Sequence, residues 1–250
     1  MYRIVIPASA VLLAACGPQG GAGQDSSPAA RTTPAAASPS GAARTVARPA
    51  IATCPARPPV QEGLRERSQP IAVPPALGEV MRSNMDNFAI ATLEGATVCI
   101  DASWMEAIRN PALTSDGRFA AFDWDGYEAF GHVIVDRAGK GQMIDTGVPP
   151  VASPSGRLLA AADLGEAGFG ALNAFAVWRI EGHRVRQLAK HAEVPPAYDW
   201  RIDNWASESC VELSSVPWET FTAESSGPRE HFHARDDNGW ALEPGRCRDA

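Results

Sequence analysis

A five-residue turn sequence occurs twice, 39 residues apart, and constrains the fold of this 250-residue chain more than any other feature. Residues 114–118 read Thr-Ser-Asp-Gly-Arg, and residues 153–157 read Ser-Pro-Ser-Gly-Arg. A short apolar segment follows each turn, at residues 119–122 and 158–161. Polar residues with glycine between short apolar runs are typical of antiparallel strands joined by tight turns. The sequence therefore predicts an all-β fold built from a repeated unit.

Further predicted strands complete these two units and add others. The first unit continues with strands at residues 131–135 and 142–144, and the second with strands at 174–178 and 185–188. A third, degraded copy begins at residues 205–209, and its strands are predicted at 210–213, 230–234 and 239–242. An incomplete leading copy contains strands at residues 88–91 and 97–100. The sequence thus predicts three to four units of antiparallel strands.

This repeat, with a period near 40 residues and a Ser-Pro-Asp/Ser-Gly-Arg turn, resembles the TolB-type β-propeller repeat. In that family the turn joins the first two strands of a blade. The resemblance implies a propeller-like array, although three to four blades barely reach the number that closes a ring. An open meander or a sandwich made of propeller-like units is the alternative.

Short helical segments are also predicted, at residues 61–67 and 75–84. In the second segment, Leu77, Val80 and Met81 have the i, i+3, i+4 spacing of a helix that packs on a sheet. Residues 104–108 are predicted to add one short helical turn.

The N-terminus has the pattern of an export signal. Arg3 precedes an apolar run at residues 4–13, which is too short to cross a membrane, since a spanning helix needs about 20 residues. The sequence then reads Leu13-Ala14-Ala15-Cys16, which resembles the lipobox of bacterial lipoproteins. The resemblance implies removal of a signal peptide (residues 1–15) and lipidation of Cys16, with lasting attachment to a membrane. The alternative is an ordinary secretory signal with an incidental cysteine.

The residue after this cysteine, Gly17, bears on which membrane is chosen. By resemblance to the sorting rule of enteric bacteria, a residue other than aspartate implies the periplasmic face of the outer membrane. The inner membrane remains the alternative.

Residues 16–53 consist mainly of alanine, glycine, proline, serine and threonine. Such a segment cannot bury enough apolar surface to offset its ordering entropy, so we expect a disordered tether. Residues 54–250 are long enough for one all-β domain. The chain has a formal net charge of −7 without blocks of like charge, which argues against a nucleic-acid partner.

Four cysteines remain in the domain: Cys54, Cys99, Cys210 and Cys247. An even number in an exported chain predicts two disulfides, because the periplasm is oxidising. Three pairings are possible. We favour Cys54–Cys247 with Cys99–Cys210, since this pairing would tie the ends of the domain together.

Two acidic-aromatic clusters are the candidate ligand or partner surface. Their members are Trp124, Asp125 and Tyr127 in the first cluster, and Trp200, Asp203 and Trp205 in the second. Aromatic faces beside carboxylates suit sugar rings or cationic ligands, through stacking and cation–π contact. The prediction requires that the two clusters converge in loops. The alternative is that the tryptophans fill the core while the aspartates lie in turns.

Signals for chemistry are weak. His231 and His233 would share one face of a strand, but no third ligand is identifiable, so we predict neither a metal nor another cofactor. No serine lies in a nucleophile elbow, and no phosphate-binding glycine loop is present.

The sequence therefore favours a binding or scaffolding lipoprotein without evident catalytic activity. Its expected partners are the membrane, through the lipid anchor, and an envelope protein or glycan. One alternative is an envelope hydrolase acting on glycan, in which Asp125 or Asp203 would face a second carboxyl across a groove. Another is an inhibitor or immunity lipoprotein.

Overall fold

The computed structural model describes residues 51–55, 68–127, 129–163, 172, 174–191, 194–195, 197–220 and 227–247. They belong to the second of two units into which the chain divides, Ala47–Ala250. The predicted signal peptide, Cys16, nearly all of the tether and the helix at 61–67 lie outside the described residues.

Within these residues, fifteen strands form four antiparallel sheets, and each strand pairs with the strands that precede and follow it in its sheet. Sheet 1 contains β1 (Met81–Ser83), β2 (Asn87–Ala91) and β3 (Thr97–Asp101). Sheet 2 contains β4 (Met105–Leu113), β5 (Phe119–Gly126), β6 (Ala129–Asp136) and β7 (Gln142–Asp145). Sheet 3 contains β8 (Val151–Ala152), β9 (Leu158–Asp163), β10 (Ala174–Ile180) and β11 (Val185–His191). Sheet 4 contains β12 (Ala197–Ser207), β13 (Cys210–Pro217), β14 (Glu230–Arg235) and β15 (Leu242–Pro244). The all-β prediction is confirmed.

The two recurring turns lie where the repeat predicts them. They connect β4 to β5 and β8 to β9, which are the first two strands of sheets 2 and 3. Gly117 and Gly156 have φ of +70° and +69°, a left-handed conformation that glycine adopts without the steric cost of a Cβ atom. The predicted third copy corresponds to sheet 4, and the leading copy corresponds to β2 and β3.

The predicted helices at 75–84 and 104–108 are wrong. Only Pro75–Leu77 forms a 3₁₀ turn, and β1 begins at Met81, which pairs with Ile90 of β2. The three apolar residues that suggested a helix are nevertheless all buried. Gly78 has a low helix propensity, and pairing with β2 gives this short segment both hydrogen bonds and burial. Residue 105 similarly begins a strand, β4.

Hydrophobic clusters fill the space between consecutive sheets. Phe88 of sheet 1 packs edge-on against Phe122 of sheet 2, with ring centroids 5.6 Å apart. A second cluster joins sheets 2 and 3, and a third joins sheets 3 and 4. The alternation of side chains along β5 places Phe122 towards sheet 1 and Ala121 towards sheet 3. In the described part of the chain, no such cluster joins sheet 1 with sheet 4.

The two expected disulfides are present, but their pairing differs from the one we favoured. Cys54 is bonded to Cys99, and Cys210 is bonded to Cys247, with Cα separations of 5.7 and 6.2 Å. The predicted Cys54–Cys247 and Cys99–Cys210 pairs are therefore wrong. The sheets pack in chain order, so each end of the domain lies beside its own terminal sheet.

Each disulfide holds a terminal segment on the outward face of a terminal sheet. Ile100 and Val211 face the core clusters, so their neighbours in β3 and β13, Cys99 and Cys210, lie on the opposite faces. The N-terminal segment is also held on sheet 1 by the backbone N–H of Ala52, which donates to the Thr97 hydroxyl at 2.9 Å. Among the described residues, no core cluster joins these two outward faces to another sheet. The terminal segments cover them instead.

Polar side chains connect the sheets at one end, which we call the turn end (residues 92–96, 114–118, 137–141, 153–157, 181–184 and 207–210). Arg137 of sheet 2 donates to the Ala91 carbonyl of sheet 1 at 2.6 Å. Arg118 donates to both carboxylate oxygens of Asp136 at 2.9 Å and to the Glu181 carbonyl of sheet 3 at 2.6 Å.

Sheets 3 and 4 are connected at the same end. The Glu208 carboxylate, in the turn between β12 and β13, accepts from the Ser153 hydroxyl at 3.0 Å and from the Ser155 backbone N–H at 2.6 Å. Its pKa is lowered, first by the Ser155 backbone hydrogen bond, so the carboxylate that makes this contact is favoured. Equivalent turns of all four sheets thus lie together.

No helix in the described residues is long and apolar enough to cross a bilayer.

Candidate binding surface

The tryptophans of the predicted surface are core residues. Trp124 lies in the cluster between sheets 1 and 2, whereas Trp200 and Trp205 lie in the cluster between sheets 3 and 4. The most exposed of the three, Trp205, retains only 9% of its accessible surface, and its indole N–H donates to the Val151 carbonyl at 3.0 Å. The two acidic-aromatic clusters therefore do not converge through these rings.

The burial of Trp124 also explains a glycine on the neighbouring strand. Gly131 is paired with Trp124 across β5 and β6, and a Cβ atom at Gly131 would come within 2.8 Å of the indole ring. The ring therefore covers the bare backbone of β6. Trp124 follows Ala120 and Phe122 at every second position, which is a sequence signal for the buried face of a strand.

Tyr127 is exposed and has two aromatic neighbours at the same end of sheet 2. The exposed fractions are 69% for Tyr127, 59% for Phe130 and 42% for Trp104. Strand pairing puts them at this end: Asp125 of β5 pairs with Phe130 of β6, and Met105, which follows Trp104, pairs with Gly126. Phe130, opposite Asp125, lies on the face of sheet 2 away from Trp124. The Trp104 ring packs edge-on against buried Trp124, with centroids 4.4 Å apart. We call Trp104, Tyr127 and Phe130 the first aromatic group.

A second aromatic group, Tyr198 and Trp218, occupies the corresponding end of sheet 4. Their rings stack with centroids 4.5 Å apart and planes 16° apart, and Trp218 is 56% exposed. Tyr198 is at the beginning of β12 and pairs with Val216, while Trp218 directly follows β13. Sequence reasoning missed Trp104, Phe130, Tyr198 and Trp218, since only their positions at strand ends distinguish them from core aromatics.

Both aromatic groups lie opposite the turn end. The β4–β5 and β12–β13 turns are at the turn end, so the start of β4, the end of β5, the start of β12 and the end of β13 are at the other. All four exposed Trp, Tyr and Phe side chains of the described residues belong to these groups. We call this the aromatic end.

An arginine–aspartate pair lies beside each aromatic group. Arg109 donates to Asp125 at 2.5 Å, and Asp125 is the cross-strand partner of Phe130. In sheet 4, Arg229 donates to the carboxylate and the carbonyl of Asp199, which directly follows Tyr198. Each pair places a guanidinium and a carboxylate, with their donors and acceptors, beside aromatic rings.

The first strands of sheets 2 and 4 carry irregularities that position polar side chains. Asn110 in β4 and Asp199 in β12 have φ of +45° and +50°, and both lie at shifts of strand register. The Asn110 amide donates to Asp123 at 2.5 Å. Non-glycine residues in this conformation cost about 1–3 kcal/mol each and persist where the surroundings hold them.

Asp203 lies on the outward face of sheet 4, where the Ser214 hydroxyl connects it to Arg229 by accepting from that guanidinium at 2.8 Å. Its carboxylate accepts from the Ser214 hydroxyl at 2.7 Å and from Arg201 at 3.2 Å, and it lies 3.4 Å from His231 Nδ1. Burial raises the pKa of Asp203, but the hydrogen bonds from Ser214 and Arg201 outweigh burial and leave the pKa below its ordinary value. The two predicted aspartates therefore lie on different sheets: Ser214 and Arg201 donate to Asp203 in sheet 4, and Arg109 donates to Asp125 in sheet 2.

His231 and His233 share this outward face, as the strand pattern predicted, with Phe232 on the core side. Glu243 lies 3.6 Å from His233. In the part of the chain that the structure describes, no three His, Cys, Asp or Glu side chains are arranged to hold a metal ion. A cavity of about 950 Å³ adjoins His233 under the C-terminal segment, and Arg235 and Arg246 in its lining are each paired with a carboxylate.

One half-buried carboxylate lies away from the aromatic groups and from Asp203. Asp145 ends β7, and burial raises its pKa, partly offset by the hydrogen bond from the Gly147 N–H at 3.2 Å and by the charge of Lys190. The carboxylate of Asp163 in sheet 3 raises the pKa further. Asp145 thus lies at the contact between sheets 2 and 3, with a pKa above its ordinary value.

Comparison with known proteins assigns no family to this arrangement: no protein-family model matches the chain, and no curated protein matches its sequence.

Proposed function

We propose that the chain is a lipid-anchored cell-envelope binding protein, whose four sheets form an open, propeller-like array and which meets its partner at the aromatic end. The observation that carries the proposal is that all the exposed Trp, Tyr and Phe side chains of the described residues lie at this one end. Exposed aromatic rings that are grouped together mark binding surfaces more often than scattered ones do.

The anchor is supported by sequence and by compartment. The lipobox-like residues Leu13-Ala14-Ala15-Cys16 supply the lipidated cysteine, and Gly17 favours the outer membrane. Two disulfides fit an oxidising compartment such as the periplasm.

The propeller-like arrangement is supported by three features. Each sheet is a meander in chain order, the Gly-Arg turns join the first two strands of sheets 2 and 3, and hydrophobic clusters join each sheet to the next. The array is open because the Cys54 and Cys247 segments cover the outward faces of sheets 1 and 4.

Binding is favoured over catalysis by the state of the charged groups at the aromatic end. Asp125 and Asp199 are each bound by an arginine, so neither is placed as an unpaired acid or base. Trp104 packs against Trp124, and Tyr198 packs against Trp218. Because these side chains are already held in place, they lose less conformational entropy when a partner binds.

The test is a photo-crosslinking amino acid placed at Tyr127 and, as a matched control, at Leu93. Leu93 is half exposed at the turn end, where its N–H donates to the Arg137 carbonyl. In intact envelopes we expect the probe at position 127 to give a crosslinked product that the probe at 93 does not give. Equal products from both positions, or none at 127, would contradict the proposal.

A further inference from the structure

We propose that the partner is an uncharged polysaccharide strand, which lies across the aromatic end and stacks on both aromatic groups. This inference rests on the proposed binding function and specifies the chemistry of the partner. It comes from three features of the aromatic end: the rings, the ion pairs beside them, and the separation of the two groups.

The exposed rings supply the apolar part of the contact. The C–H faces of a sugar ring are apolar, and an aromatic face that is held in place covers them at low entropic cost. The stacked Tyr198–Trp218 pair and Trp104, which is fixed against Trp124, are held in this way. Tyr127 adds a phenolic hydroxyl that both donates and accepts hydrogen bonds.

The ion pairs supply the polar part. Sugar hydroxyls need donors and acceptors close together, and a guanidinium beside a carboxylate offers both. Arg109–Asp125 lies next to Phe130, and Arg229–Asp199 lies next to Tyr198. Because each pair is neutral as a whole, neither group attracts a strongly charged polymer.

The separation of the two groups selects a polymer. They lie on sheets 2 and 4, and sheet 3 packs between these sheets through its two core clusters. Packed sheets are about 10 Å apart, so the groups are about 20 Å apart. One monosaccharide cannot reach both groups, whereas an extended chain can, and its second contact is then an intramolecular event.

Other partners fit these features less well. The formal net charge of −7 opposes polyanions such as nucleic acid. A surface that lies on an anionic membrane needs an excess of lysine and arginine around its aromatic residues, whereas the arginines here are paired with aspartates.

The experiment measures binding of the full chain to soluble β-1,4-linked N-acetylglucosamine oligomers, and its co-sedimentation with insoluble chitin, the uncharged polymer of the same sugar. We expect a long oligomer to bind at least about tenfold more tightly than the disaccharide, because only the long one reaches both groups. Trp218→Ala should remove that advantage and leave disaccharide binding to the first group.

A Tyr127→Ser/Phe130→Ser double variant should also remove the advantage, and Leu93→Ala at the turn end should not. These side chains are exposed, so circular dichroism and the melting temperature should stay close to wild type, which separates lost binding from lost folding.

Two results would overturn the inference: no binding to either glycan probe, or binding that the aromatic variants leave unchanged. If the Tyr127 photo-probe still captures a protein in either case, the binding function stands and the polysaccharide assignment fails. If that product is absent as well, both fail.

Discussion

At the scale of single residues, the molecule is defined by where its aromatic and acidic side chains are placed. Trp124 and Tyr127 are three positions apart, yet one is buried between sheets and the other is among the most exposed side chains. Partial burial raises the pKa of Asp145, whereas hydrogen bonds from Ser214 and Arg201 hold the pKa of Asp203 below its ordinary value. The same residue types thus have opposite roles according to the strand end or face they occupy.

The Asp145→Asn variant tests the raised pKa of Asp145. Burial, with the nearby Asp163 carboxylate, raises the folded-state pKa of Asp145 above its ordinary value of 3.8. Its contribution to stability is therefore fully present below that value and is lost as the pH rises through the raised pKa. An asparagine amide keeps an acceptor for the Gly147 N–H and carries no charge.

We therefore expect Asp145→Asn to melt at a higher temperature than wild type near neutral pH, and the difference to shrink as the pH falls towards 4. Thermal melts followed by circular dichroism across this range measure it. A difference that is the same at every pH would contradict a raised pKa for Asp145.

At the scale of elements, each disulfide fixes one terminal segment to its own terminal sheet. Neither disulfide joins the two ends of the domain to each other. Cys54–Cys99 and Cys210–Cys247 close loops with sequence separations of 45 and 37 residues. The chain-entropy model assigns each about 4 kcal/mol. Because they lie on sheets 1 and 4, their local effects should be separate.

Replacing Cys210 and Cys247 by alanine should lower the free energy of unfolding by about 2–4 kcal/mol. It should also speed amide hydrogen exchange in sheet 4 while sheet 1 stays protected. The Cys54→Ala/Cys99→Ala double variant is the matched control and should show the reverse pattern. Equal acceleration in both sheets from either variant would mean that the disulfides stabilise the array as a whole.

Elements were predictable where the signal is local. Turns such as that at Gly117 and the alternation along β5 identify strands from the sequence alone. The segment 75–84 has helical spacing, but its pairing with β2 depends on residues further along the chain. Disulfide pairing and the burial of Trp200 depend on which sheets become neighbours, and a single sequence does not encode that in any local pattern.

At the scale of the whole molecule, the two ends have different roles. The turn end holds consecutive sheets together through Arg118, Arg137 and Glu208. The aromatic end presents rings that no described core cluster covers. The sequence predicted an aromatic surface with Asp125 and Tyr127, but none of the other rings that form it was among those predicted.

Hydroxyl-radical footprinting tests the role of the aromatic end most directly, by comparing the protein in intact envelopes with the purified, unbound protein. Met143 is an internal control, since it is a readily oxidised, exposed side chain near the turn end. We predict that oxidation of Tyr127, Phe130 and Trp218 falls in the envelope sample while that of Met143 is unchanged. Equal oxidation of the aromatic residues in both samples, or protection of Met143 in their place, would contradict the account.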